Sequence, residues 1–94
     1  MLLFVRNPYY AAICRGEKRY ELRAGGRYRN VKPGDTLSIN GRFRVLVEAV
    51  EVCRSLQAAI DASELAKWPV TAEAIRACYP DAEEFRLFHF SRIP

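Results

Sequence analysis

The order of apolar and polar positions predicts a chain in which short strands and short helices follow each other closely. An apolar run at 2–5 predicts a buried opening strand. Asn7 and Pro8 fit a helix start, because Asn caps helices and Pro suits the first helical position. Gly16 is a natural helix end. Apolar side chains at positions i, i+3 and i+4 in between predict a two-turn helix over 8–15.

A strand is predicted directly after this helix. Over 19–23 the apolar Tyr20 and Leu22 alternate with charged residues, as they do in a strand with one buried face. The glycine pair at 25–26 ends this strand and opens a flexible loop. Pro followed by Gly in 32–35 is typical of a type II turn, so the chain turns back there.

The middle of the chain predicts a β-hairpin. The strand at 36–39 runs into Asn40-Gly41, a strong signal for a type I′ turn, and the return strand covers 43–52. Its apolar positions change face midway. We therefore predict a β-bulge near 48–49, where one extra residue would reverse the alternation.

Two helices and a closing strand are predicted in the last third. Ser55 is placed to cap the first helix, which continues loosely towards Trp68. Thr71 is placed to cap the second, which ends at 79–80 because Pro80 cannot continue it. The closing strand, 85–90, is apolar on both faces. The whole order predicts one α+β domain over residues 1–94: a small, partly closed β-barrel of five to six mostly antiparallel strands flanked by two to three short helices.

Charge is distributed unevenly along the 94 residues. The formal net charge is +4, but residues 1–44 hold ten Lys and Arg against three acidic residues, whereas 45–94 hold five against eight. A basic half indicates a polyanionic partner, and nucleic acid is favoured over a membrane because no basic amphipathic helix is evident. Since no apolar run reaches the roughly 18 residues of a membrane span and no signal peptide is recognisable, we expect a cytoplasmic protein without a membrane partner.

The cysteines and the histidine indicate neither a disulfide framework nor a metal site. Cys14, Cys53 and Cys78 are odd in number and widely separated, so we expect buried reduced thiols, with Cys78 on the inward face of the last helix. His89 lies in an apolar strand and is predicted to be a core histidine. We expect no metal and no other cofactor.

One set of residues is spread over the first helix and the strand after it: Asn7, Pro8, Tyr9, Ile13, Gly16, Lys18, Glu21 and Arg23. This set resembles the signature of the ASCH domain family, small β-barrels related to the PUA domains of RNA-modifying enzymes. The turn at 32–35 resembles the family's Lys-x-Gly-Asp, and 75–80 resembles its late helix. The resemblance covers nearly the whole chain.

This resemblance implies a PUA-like barrel with a cleft between the first helix and the Lys/Glu/Arg strand. It implies binding of RNA or another nucleic acid, which is the activity commonly associated with the family. Some small stand-alone members resemble amidohydrolases that deacylate N4-acylated cytidine, and others have been proposed as ribonucleases. Membership of such a family does not by itself decide the function.

Lys18, Glu21 and Arg23 are the candidate cleft residues. Lys18 could donate to a phosphate or base oxygen, or act as a general base if it is desolvated. Glu21 and Arg23 share a strand face, and their pair could orient a base edge or form a structural salt bridge only. The resemblance places Glu64 at the glutamate of the amidohydrolase-like members. At the threonine of those members this chain has Glu21, and a carboxylate cannot supply the hydroxyl.

The loop after the strand supplies further candidates. Arg27, Arg29 and Lys32 would hold a phosphate backbone, which gives affinity rather than sequence choice. Tyr9, and Tyr28 between two arginines, could stack on bases. Tyr9 could equally be a core residue of the first helix.

The hypothesis favoured by the sequence is a module that binds RNA or a nucleotide-like ligand. The alternative is an enzyme, either a small amidohydrolase of N4-acetylcytidine type or a ribonuclease. Its candidate catalytic residues are Lys18, Glu21 and Glu64, and in the amidohydrolase Lys18 would be the general base and Glu64 the proton shuttle. A non-catalytic protein–protein module is a third possibility. The identity of the ligand and the oligomeric state stay open.

Overall fold

Five strands and three short helices make up the part of the chain that the computed structural model describes, residues 1–65 and 71–94. The strands are β1 (Leu2–Leu3), β2 (Tyr20–Ala24), β3 (Thr36–Ile39), β4 (Phe43–Cys53) and β5 (Phe85–Arg92). The helices are α1 (Tyr9–Cys14), α2 (Leu56–Leu65) and α3 (Ala72–Cys78), and a single 3-10 turn covers Gly26–Tyr28. The predicted continuation towards Trp68 lies outside the described residues.

The strands form one mixed sheet in the order β1-β3-β4-β5-β2. β1 runs parallel to β3, and the other neighbours are antiparallel. The β3–β4 hairpin turns at Asn40 and Gly41, both with positive φ (53° and 71°), and the amide of Arg42 donates to the Ile39 carbonyl at 2.9 Å. These are the features of a type I′ turn, so the predicted hairpin and the α+β class are confirmed.

The predicted bulge lies in the long central strand. The register against β5 shifts between Val47, opposite Phe90, and Ala49, opposite His89, so that Glu48 is the extra residue. Such a bulge bends a strand and reverses its alternation. The two halves of β4 therefore contribute to different parts of the core.

The core consists of two clusters on opposite faces of the sheet. One lies under α1 and contains Val45, Val47, Phe88 and Phe90. The other lies under α2 and α3 and contains Cys53, Ala59, Ile75, Phe85 and Leu87. β5 supplies both clusters, since neighbouring side chains of a strand point to opposite faces, as its doubly apolar sequence predicted.

The predicted barrel is not formed, and the sheet is open. β1 and β2 are its two edges, and no backbone pairing joins them within the described strands. β1 is only two residues long, which leaves too little backbone for a closing ladder. A side chain links the two edge segments instead: the Arg23 guanidinium of β2 donates to the Phe4 carbonyl, just after β1, at 2.6 Å.

The helix caps agree with two of the three predictions. Ser55 Oγ accepts from the amide of Ala58, and Thr71 Oγ1 accepts from the amide of Ala74, both at 3.0 Å. Asn7 does not cap α1; Pro8 occupies the cap position and makes no side-chain bond there. None of the helices in the described ranges is long and apolar enough to span a membrane.

Several predicted core residues prove to be more exposed, whereas one predicted surface residue is buried. Leu2 and Phe4, in the opening run that was predicted to be buried, are 43% and 69% exposed. Cys78 is exposed and Cys14 is half-buried, although both were expected inside. His89 is also half-exposed, with its Nε2 3.6 Å from Glu51 Oε1. Tyr28 is 7% exposed and its ring centroid lies 6.1 Å from that of Phe88. The 3-10 turn points Tyr28 inward, so this ring is not available for stacking on a base.

Candidate functional site

A cleft of about 370 Å³ opens along β2, within the size range of small-molecule sites. One wall is β2 with Lys18 before it, and the opposite walls come from the chain after β1 and from α3. Its lining includes four aromatic side chains and four charged ones: Phe4, Tyr9, Tyr20, Tyr79, Arg6, Lys18, Glu21 and Arg23.

The end of α1 brings Lys18 into this cleft. Gly16 adopts φ +76°, a conformation that glycine reaches without strain, and the amides of Glu17 and Lys18 both donate to the Ala12 carbonyl. This tight helix end turns the chain directly into β2. The Lys18 side chain is 4% exposed, and its Nζ lies 4.2 Å from the centroid of the Tyr20 ring.

Lys18 is held by its neighbours on β2. Its Nζ donates to the Tyr20 carbonyl and to Glu21 Oε1, each at 2.5 Å. The other oxygen of the same carboxylate, Oε2, accepts from Arg23 Nε at 3.1 Å. Glu21 is thus placed between two cations, and this group of three carries a net positive charge. It is buried on one side and faces the cleft on the other.

Burial perturbs the ionisable groups of the cleft. Desolvation lowers the pKa of Lys18, and the nearby Arg23 lowers it further, although the carboxylate of Glu21 works in the opposite direction. Desolvation also raises the pKa of Tyr20 and of Tyr79. Both phenols therefore keep their protons at neutral pH and can serve as neutral hydrogen-bond donors.

The aromatic residues form the walls of the cleft. Tyr9 is 43% exposed, and its ring centroid lies 5.7 Å from Lys18 Nζ. It therefore belongs to the cleft and not to the core of α1. Phe4 is 69% exposed at the rim. Exposed aromatic rings beside buried donors are suited to stacking against a flat heterocycle.

The structure brings together four of the predicted site residues: Tyr9, Lys18, Glu21 and Arg23. Glu64 lies exposed on α2 and is not among the residues that line the cleft.

The basic loop lies outside the cleft as well. Arg27, Arg29 and Lys32 are exposed and do not line it. Arg27 has its guanidinium carbon 5.3 Å from the ring centroid of Tyr28, and Lys32 pairs with Asp35 at 3.2 Å.

Most of the described lining residues were not predicted from the sequence as site residues, among them Phe4, Arg6, Cys78 and Tyr79. Strand alternation puts Phe4 on the face opposite the buried Leu3 and Val5, but the uniformly apolar run 2–5 does not indicate which of its faces is exposed. Tyr79 and Cys78 join the cleft through the packing of α3, which no local pattern reports. The described residues contain no group of three or more His, Cys, Asp or Glu that could hold a metal ion.

Comparison with known proteins shows what this fold is similar to. No family model matches the chain, and the curated proteins give no match either. The crystal structure of hypothetical protein PH0355, from Pyrococcus, superposes with a TM-score of 0.77 at 18% identity, over 98% of this chain and 97% of that one. The solution NMR structure of protein PF0455 from Pyrococcus furiosus gives a TM-score of 0.69 at 19% identity, over 98% and 96%. The chain therefore shares a small α+β fold with these two proteins from end to end.

Proposed function

We propose that the protein is an ASCH-type module that binds RNA or a nucleotide-like ligand in the cleft along β2. The observation that carries this proposal is the buried carboxylate of Glu21 between Lys18 and Arg23, in a cleft with aromatic walls. Hydrogen-bonding groups in a fixed array beside exposed rings suit a base that stacks with its face and pairs with its edge.

The charges that line the cleft favour an anionic ligand. Arg6, Lys18 and Arg23 face a single carboxylate, Glu21, among the described lining residues. A buried cation without a full counter-charge is unfavourable, so a phosphate oxygen placed here would be stabilised by charge-assisted hydrogen bonds. A nucleotide therefore fits the cleft better than an uncharged nucleoside does.

The basic loop would have a separate part in binding RNA. Arg27 and Arg29 are exposed and lie outside the cleft, so they would contact phosphates of a longer strand. Contacts of this kind raise affinity at low salt without reading the bases. The contributions of the cleft and of the loop to binding can then be distinguished by comparing a mononucleotide with a longer RNA strand.

Two titrations test the proposal. Labelled single-stranded RNA is titrated at low and moderate salt, and cytidine 5′-monophosphate is titrated by calorimetry. Tyr9→Ala, which removes an exposed ring, is expected to weaken binding of the mononucleotide about tenfold or more. The double variant Arg27→Ala/Arg29→Ala should leave the mononucleotide unaffected, and it should reduce the salt slope for RNA by about one to two.

Controls and the refuting result follow from the same design. Arg15→Met removes a cation from an exposed pair with Glu17 and should change neither titration. Thermal unfolding of each variant shows whether a loss of binding reflects a loss of structure. No binding of RNA and none of the mononucleotide, even at low salt, would refute the proposal.

The lowered pKa of Lys18 favours a second candidate, the deacylation of N4-acylated cytidine, because a desolvated lysine is a better general base. The exposed position of Glu64 and the carboxylate at Glu21 count against it. Incubation with N4-acetylcytidine would decide. If wild type and Lys18→Ala release acetate at the same rate, Lys18 is not the base.

A further inference from the structure

A second, smaller cavity shares Lys18 with the cleft. Its volume is about 230 Å³, and it lies where the end of α1 meets the start of β2 and the end of β5. Ile13, Val45 and Phe90 give it apolar walls, and Arg19, Ser91 and Arg92 supply polar groups.

The charged residues among the described lining of this second cavity are all cationic, although one of them, Lys18, is paired with Glu21. Lys18, Arg19 and Arg92 line it, and its described lining contains no carboxylate. Within residues 1–65 and 71–94 neither Arg19 nor Arg92 lies within ion-pair distance of an acidic side chain. Some arginines have such a partner, as Arg15 has in Glu17, and others, such as Arg27 and Arg29, have none among the described residues. What distinguishes Arg19 and Arg92 is that both line one cavity.

Local contacts hold the two guanidinium groups in place. Arg19 Nε donates to the Gly16 carbonyl and Arg92 donates to the Cys14 carbonyl, each at 3.3 Å, and Arg92 also lies 4.2 Å over the ring of Phe43. Cations are favoured at the C-terminal end of a helix, which accounts for these positions. One such bond occupies one of the five N–H donors of a guanidinium, so donors remain for a ligand.

We propose that this cavity is a phosphate-binding pocket. Two positioned guanidinium groups and the lack of a lining carboxylate in the described chain are features that phosphate recognition uses, because the planar fork of arginine matches two phosphate oxygens. The ligand chemistry is a phosphate group, either free, as a monoester or as a diester of a nucleic acid strand. The assignment does not depend on what the cleft binds.

Three probes distinguish the sources of the phosphate: inorganic phosphate, cytidine 5′-monophosphate and a single-stranded RNA oligonucleotide. Each is titrated at constant ionic strength while amide signals are followed by NMR, with chloride replacing the probe in the reference series. The signals of Arg19, Ser91 and Arg92 are expected to shift. The double variant Arg19→Gln/Arg92→Gln should weaken binding about tenfold or more, since it removes the charge-assisted hydrogen bonds of two guanidinium groups.

For inorganic phosphate and cytidine 5′-monophosphate, which do not reach the basic loop, the matched control is Arg27→Gln/Arg29→Gln, which removes the same charge from an exposed loop outside both cavities. Equal weakening by the two double variants would mean general charge attraction only and would overturn the proposal. So would a titration in which no probe shifts the signals of the pocket. A response to the oligonucleotide alone would identify a diester and uphold it.

Two further variants keep the test decisive. If the double variant fails to fold, Arg92→Lys keeps the charge but loses the fork, and it should still weaken binding measurably; unchanged affinity would overturn the proposal. Tyr9→Ala alters the cleft and not the pocket, so phosphate shifts at Ser91 should persist in it. A result that refutes ligand binding in the cleft can therefore be distinguished from one that refutes phosphate binding in the pocket.

Discussion

Replacing Glu21 by Gln removes the carboxylate that Lys18 and Arg23 share. The amide has nearly the size of the carboxylate and keeps one acceptor oxygen, so packing is preserved while the charge is lost. Because Lys18 is 4% exposed, water cannot take over the role of the carboxylate. The variant leaves two neighbouring cations without the negative charge between them. Their repulsion and their desolvation then destabilise the folded state.

The magnitude is limited by the ability of Lys18 to lose its proton. Removing one partner of a buried ion pair typically costs about 3–5 kcal/mol. Deprotonating a lysine at pH 7 from its ordinary pKa costs about 4–5 kcal/mol, at about 1.4 kcal/mol for each pH unit. Burial already lowers the pKa of Lys18 in the wild type, so the wild-type folded state already bears part of the free-energy cost of burying this lysine. We therefore expect Glu21→Gln to lower the free energy of unfolding by about 3 kcal/mol.

The pH dependence has a definite sign. Without Glu21 the pKa of Lys18 in the folded variant falls further below its unfolded value. Between the two values the unfolded chain binds more protons than the folded one, so stability increases with pH. The difference in the free energy of unfolding between Glu21→Gln and wild type should therefore become smaller as the pH approaches the ordinary lysine pKa of about 10.4. Urea unfolding followed by circular dichroism over a series of pH values measures this.

The control uses an exposed pair. Glu17 accepts from Arg15 at 2.9 Å, and both side chains are more than half exposed. Glu17→Gln should change stability little, since exposed ion pairs contribute little. Adding Lys18→Met to Glu21→Gln should restore part of the loss, because it removes a stranded charge. The reasoning fails if Glu21→Gln lowers the free energy of unfolding no more than Glu17→Gln does. It also fails if the loss of stability in Glu21→Gln becomes larger as the pH rises.

Three further changes test the fold and the assignment of the tyrosines. Asn40→Ala removes two hydrogen bonds to the backbone of Val5 and leaves alanine at a φ of +53°, so urea unfolding should show a loss of about 2–3 kcal/mol. No loss would show that these bonds do not stabilise the contact between the hairpin and the segment after β1. Tyr28→Ala should lower the free energy of unfolding by about 3–5 kcal/mol as a core truncation, whereas Tyr9→Ala should have a melting temperature close to that of wild type. A larger loss of stability for Tyr9→Ala than for Tyr28→Ala would contradict the placement of Tyr28 in the core and of Tyr9 at the cleft. Thr71→Ala removes the cap of α3 and should cost about 1 kcal/mol, measured against Thr36→Ala as an exposed strand control.

Features governed by local chemistry were predictable from the sequence. The hairpin follows from Asn40-Gly41, because few residues adopt positive φ at two successive positions. The bulge follows from the reversed parity of β4, and the β2 face that carries Glu21 and Arg23 follows from simple alternation. Each depends on neighbours only a few residues apart.

Features that depend on distances across the fold were not predictable in this way. Whether the sheet closes is decided by the two-residue length of β1 and by the gap that the Arg23 side chain spans. Tyr28 has exposed arginines on both sides, and its burial comes from the 3-10 turn that places it against Phe88. The basic loop was grouped with the cleft because of its charge, although charge does not specify position.

The open edge of the sheet and the candidate cleft have a common origin. A strand edge leaves backbone carbonyls without ladder partners, and here two cationic side chains bind carbonyls at the edge segments: Lys18 donates to the carbonyl of Tyr20, and Arg23 to that of Phe4. A ligand that enters the cleft must compete with these carbonyls and with Glu21 for the same donors. A neutral carbonyl oxygen gains little in such an exchange, whereas an anionic oxygen forms stronger hydrogen bonds to a cation. For this reason the nucleotide, and not the nucleoside, is the ligand that the proposed function requires.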